Sequence, residues 1–152
     1  MPRLYLFAEG QTELTFADTV LKPHLAGAGV VQALEGAFAN DISDDRFVPY
    51  IQLHEYEAYL FSDPTWFGYF YDRHDKQIAA LKAIADSYAT PELIDDGQDS
   101  APSKRIIAEI PDYEDAKSAV GPQVAELIGL NVIRDRCPHF AAWLARLEKL
   151  GT

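Results

Sequence analysis

Only two short stretches of this chain read as strands, and everything else with a pattern has a helical one. Leu4 to Ala8 is an apolar run ended by Glu9 and Gly10, which predicts a buried strand and a turn. Phe47 to Leu53 has extended character. Between them, Thr12 can cap a helix in which Leu14, Ala17, Val20 and Leu21 recur at helical spacing until Pro23. Leu34, Ala37, Phe38 and Ile42 mark a second helix over Gln32 to about Ile42, ended by Ser43-Asp-Asp45. Two short strands alone make a marginal sheet in water, so the sheet they predict is incomplete.

Beyond Leu53 the reading is helical. Tyr56, Tyr59 and Leu60 fit one face of a short helix stopped before Pro64, and Trp66 to Tyr71 is a dense aromatic patch. Ile78, Leu81, Ile84, Ala85 and Tyr88 give a helix over Lys76 to Tyr88, followed by a turn-rich loop at Asp95-Asp-Gly97. Ser100 with Pro102 marks another helix start, the helix covering Lys104 to about Ile110; Pro122 opens one closed by Gly129, and the last starts around Pro138. The order strand, helix, helix, strand, then mostly helix predicts a single α/β domain over residues 1–152. In it, residues 1–63 carry the sheet and 64–152 form a mostly helical extension. If a crossover joins the strands they are parallel, and their C-terminal ends bring Glu9 beside His54, Glu55 and Glu57 at the edge where open α/β sheets bind ligands.

Charge supports two readings of that edge. The chain has 24 acidic and 13 basic residues, a net charge of −11. Residues 30–63 and 64–100 hold −6 and −4 of it, whereas 101–152 balance at zero. Such a field repels a phosphodiester unless divalent cations intervene, and it equally describes a solvated acidic surface. Glu9, Glu55, Glu57 and Asp63 are the candidate ligands for Mg²⁺ or Mn²⁺, hard ions that prefer oxygen, with Glu9 also a candidate general acid/base. His54-Glu55 begins like the zinc-protease HExxH helix, but Ala58 stands where the second histidine belongs. Lys104, Arg105, Arg134 and Arg136 are the candidates for phosphate contact. The aromatics at 66–71 have no interleaved cations, which favours packing or a protein interface over base stacking. Cys137 is read as a small buried hydrophobe, and the lone cysteine and short apolar start suit a cytoplasmic protein without a membrane span.

Four strings are familiar: Arg3 to Glu13 (RLYLFAEGQTE), Phe47 to Pro64 (FVPYIQLHEYEAYLFSDP), Ala101 to Ile106 (APSKRI) and Ile128 to Leu150 (IGLNVIRDRCPHFAAWLARLEKL). They resemble the bacterial family called domain of unknown function 4276, itself similar to Toprim domains and OLD-type nucleases. The resemblance implies a Toprim-like parallel sheet flanked by helices and Glu9 as the glutamate after the first strand. It also implies an Asp-x-Asp metal motif, which this sequence lacks; the stretch carrying it would be missing near residues 29–32. Members resemble components of anti-phage or restriction-associated loci beside an ATPase. The expected function is therefore a Mg/Mn-dependent phosphodiesterase cutting nucleic acid, DNA or tRNA, as the effector of an ATPase in bacterial defence. In this scheme Glu9 and one of Glu55, Glu57 or Asp63 position the metal-bound water. The alternative is a non-catalytic subunit that docks on the ATPase through the Trp66 to Tyr71 aromatics. Self-association is left open by the sequence.

Overall fold

The structure, a computed structural model, describes residues 28–94 and 99–151. Among these the regular elements are six α-helices and four short 3₁₀ helices. The α-helices are α1 (Ala28–Ile42), α2 (Asp75–Asp86), α3 (Pro102–Glu109), α4 (Tyr113–Ile128), α5 (Leu130–Arg136) and α6 (Pro138–Glu148). The 3₁₀ helices are Tyr56–Ser62, Pro64–Tyr69, Pro91–Leu93 and Lys149–Gly151. The expected α/β class with a Toprim-like parallel sheet is thus overturned: the described residues contain helices and no strand. The first expected strand, Leu4 to Ala8, and Glu9 lie outside the described residues, as do the helix begun at Thr12 and the turn at Asp95-Asp-Gly97.

The second expected strand fails for a reason visible in its backbone partners. A strand needs a neighbouring ladder for its amides and carbonyls. In the 47–53 segment side chains take that place: Glu35 Oε1 accepts from the Ile51 amide at 2.7 Å. Trp143 Nε1 donates to the Val48 carbonyl at 3.4 Å. Pro49, buried in the middle, has no amide to offer a ladder.

Two compact units divide the chain: Met1–Leu53 with Trp143–Thr152, and His54–Ala142. In the first, α1 passes through residues 29–32 without a break in its helical backbone. Val31 and Glu35, four residues apart, form its buried face. Ser43 ends it in a left-handed conformation (φ 48°), its hydroxyl donating to the Asn40 carbonyl at 2.6 Å. Tyr50 stacks on Trp143 with ring centroids 4.7 Å apart.

The second unit has its own apolar core, in which Leu60, Phe61, Phe67, Leu81, Ile106, Tyr113 and Val124 are almost fully buried. The helical spacing legible in α2 is the one that packs, with Leu81 and Ala85 buried and Ile78, Ile84 and Tyr88 beside them. Proline disfavours the α conformation at the residue preceding it, and Asp63 (φ −154°, ψ 87°) separates the two 3₁₀ helices on that account. Pro122 does not open a helix as expected; it sits inside α4. It is tolerated on the solvent side, where both Pro122 and Ser118, whose carbonyl loses its donor, are exposed. Gly129 ends α4 at φ 81°, as its position suggested. Gly121 faces inward, and a Cβ there would lie 2.9 Å from the Tyr113 hydroxyl, so glycine is what leaves room for that ring.

Candidate functional site

The helix starts explain where the acids go. An α-helix leaves its first amides without internal partners, and a side-chain oxygen at the N-cap usually accepts from them. Helix α3 begins at Pro102 after Ala101, and α6 begins at Pro138 after Cys137; neither preceding residue is a capping type. Remote glutamates supply the acceptors instead. Glu55 Oε2 accepts from the Ser103 amide at 2.9 Å. Glu92 accepts from the His139 amide at 3.0 Å through Oε2 and from the Phe140 amide at 2.8 Å through Oε1. Each carboxylate also opposes the positive end of the helix dipole. Glu92 is oriented in turn by Thr90, whose hydroxyl accepts from the Glu92 amide at 3.2 Å.

The expected metal ligands are therefore engaged in different tasks. Glu55 caps α3, and Asp63 Oδ1 accepts from the Thr65 amide at 3.1 Å and from its hydroxyl at 2.6 Å, capping the second 3₁₀ helix. Glu57 is half-buried in the first turn of Tyr56–Ser62. Among the described residues no group of three or more His, Cys, Asp or Glu side chains could hold a metal ion. Sequence reading missed Glu35 and Glu92, which, like Glu55, accept from backbone amides far along the chain. The signal that points to an acid like Glu92 is a proline-started helix with no capping residue before it.

The cations divide as well. Lys104 is exposed on α3, next to the end capped by Glu55. Arg105 is tied into the fold: Nε donates to the Ser100 carbonyl at 2.6 Å, and Nη2 donates to the Tyr88 hydroxyl at 3.1 Å. Its guanidinium also lies 5.7 Å from the centre of the Tyr88 ring. Arg134 and Arg136 occupy the last turn of α5, both half-buried, and Arg136 buries its Nε. Cys137 is fully buried beside Ser62, with Sγ and Oγ 3.6 Å apart, and burial pushes its thiol up to about 12. That fits an inert core residue.

The large apolar side chains that the second unit leaves exposed are Tyr56, Trp66, Tyr69, Leu93, Leu130 and Val132, and two of them belong to one 3₁₀ helix. In a 3₁₀ helix, residues three apart eclipse each other, so Trp66 and Tyr69 share one face of Pro64–Tyr69. Trp66 is 38% exposed and Tyr69 75% exposed, whereas Phe67 on the other side is 1% exposed. Phe67 meets Tyr113 edge-on with ring centroids 5.5 Å apart, and Gly68 lies close to Ile78 of α2. The exposed pair thus stands on a well-anchored base.

By sequence the chain belongs to the DUF4276 family (domain of unknown function), whose profile matches residues 28–148. No curated protein and no solved structure matches the chain. Among the described residues no helix is long and apolar enough to cross a membrane.

Proposed function

We propose that the chain is a non-catalytic docking subunit that holds a partner protein, the ATPase implied by the family resemblance, through the aromatic face of Pro64–Tyr69. The observation that carries this reading is the exposure of Trp66 and Tyr69 on one face of a helix whose opposite side is buried in the core. Large aromatics are costly to leave in water and are enriched where partners bind. The engagement of Glu55 and Asp63 as caps supports the same reading, because it gives each carboxylate a structural task of its own.

The test is co-purification of the chain with an ATPase of the kind the family resemblance implies, taken from a neighbouring gene, measured by light scattering after gel filtration. A stoichiometric complex lost in Trp66→Ala/Tyr69→Ala, with the circular dichroism of the variant unchanged, is the expected result. A complex indifferent to those substitutions refutes the reading.

A second reading rests on the family resemblance and on Glu9. In it the chain is kin to OLD-type nucleases and acts in anti-phage defence as a Mg²⁺- or Mn²⁺-dependent phosphodiesterase, with Glu9 as general acid/base and Arg134 or Arg136 steadying the scissile strand. Mn²⁺-dependent cleavage of DNA or tRNA that Glu9→Ala abolishes would establish it in place of the docking reading.

A further inference from the structure

Building on the docking reading, we infer that Asp63 is a positioning residue for the partner site: its carboxylate closes the first turn of Pro64–Tyr69 and thereby fixes the backbone from which Trp66 is presented. A 3₁₀ helix has poorer hydrogen-bond geometry than an α-helix, and runs beyond three or four residues are uncommon, so a helix of six depends on what holds its ends. The far end is closed by backbone: the Phe70 and Tyr71 amides both donate to the Phe67 carbonyl, at 3.1 and 3.0 Å. At the near end Pro64 brings no amide, and the Thr65 amide donates to a side chain, Asp63 Oδ1, at 3.1 Å. The Thr65 hydroxyl donates to the same oxygen at 2.6 Å. Trp66 is the next residue, so its backbone leaves a turn that one carboxylate oxygen closes.

The two ends are secured unequally, and this ties Asp63 to Trp66 in particular. Phe67 is 1% exposed and meets Tyr113 with ring centroids 5.5 Å apart, and Gly68 lies against Ile78, so the helix from Phe67 onward keeps its place through the core. Thr65 and Trp66 are exposed and precede that anchor. A ring whose backbone is fixed before binding loses little freedom on contact, whereas one on a frayed turn has to be ordered by the partner. The acceptor matters here and the charge does not, because aspartate and asparagine cap about equally well. Asparagine at this position also separates capping from metal binding: it keeps the cap and loses the charged oxygen that Mg²⁺ or Mn²⁺ prefers.

The test uses the full chain carrying Trp143→Phe, a change in the other unit that leaves Trp66 as the sole tryptophan. Acrylamide quenching and anisotropy decay of Trp66 are read without any partner, and binding to the ATPase is titrated separately. Asp63→Ala should raise the quenching constant and the amplitude of fast ring motion, with circular dichroism unchanged, and weaken the complex up to about fivefold, the equivalent of one cap. Asp63→Asn should restore both readings. Thr65→Val removes the hydroxyl bond and keeps the amide one, so it should move the Trp66 signals in the same direction by less, and it reads the same turn if Asp63→Ala does not fold. Trp66 signals unchanged in the folded variants would overturn the inference, and so would an Asp63→Asn variant that fails to restore them. A complex abolished by Trp66→Ala/Tyr69→Ala but bound at full strength by Asp63→Ala overturns this inference while the docking reading stands. A complex indifferent to the aromatic substitutions defeats the docking reading, and with it the role of Asp63 in binding, even where the Trp66 signals respond as expected.

Discussion

Replacing Glu92 by alanine probes the use of acids as remote caps most directly. The substitution strips the acceptors from the His139 and Phe140 amides at the start of α6, together with the negative charge facing that helix end. Losing a capping acceptor costs about 1 kcal/mol, the charge opposing the dipole adds about 0.5 kcal/mol, and a second amide left without its partner contributes about 1 kcal/mol. The sum is about 2–3 kcal/mol, which for a chain of this size lowers the melting temperature by about 5–10 °C. Glu92→Gln keeps one acceptor oxygen but not the charge, and should cost about half as much. The control is Glu126→Ala on the exposed side of α4, expected within about 0.5 kcal/mol of the unaltered protein. Urea unfolding followed by circular dichroism reads all three. A Glu92→Ala loss no larger than that of Glu126→Ala would refute the capping role.

Other consequences can be measured on the same protein. Gly121→Ala places a Cβ 2.9 Å from the Tyr113 hydroxyl and should cost about 1–3 kcal/mol; adding Tyr113→Phe should recover most of it, and a denaturation double-mutant cycle reads the coupling. Tyr113→Phe alone should be neutral or stabilising, because its hydroxyl is buried with no partner among the described residues. Cys137 should resist thiol reagents in the folded protein and react fully in urea. Burial raises the Cys137 thiol and the Tyr113 phenol in the folded state, so the unfolded chain gives up those protons first as pH rises. Stability should therefore be intact below about pH 8.5 and fall progressively above about pH 9, on unfolding curves measured at stepped pH; a flat profile to pH 11 would contradict the burial argument.

Helices with a clear apolar stripe were legible in advance because the stripe is local. Leu81 and Ala85 of α2 are buried for the same reason that their spacing is visible, and α6 starts at Pro138 where the proline signal placed it. Pro122 misled because the same residue that opens a helix can also sit within one, provided the carbonyl it orphans faces solvent, as Ser118 does. The 47–53 segment misled because extended composition does not reveal whether a ladder lies alongside. Of the candidate site, the exposed aromatics could be named from the sequence, but not that Trp66 and Tyr69 face out while Phe67 faces in.

The sequence by itself determined the helical periods, the stops at Gly129 and before Pro64, and the burial of Cys137. These depend on neighbours within about one turn and on side-chain polarity, which the order of residues contains. Only the tertiary structure decided what the acids do. Glu35 meets the amide of Ile51, Glu55 that of Ser103, and Glu92 those of His139 and Phe140. A carboxylate carries the same charge whether it is destined for a metal, for water or for a distant helix end. Which of these it meets is set by the packing that brings remote backbone to it.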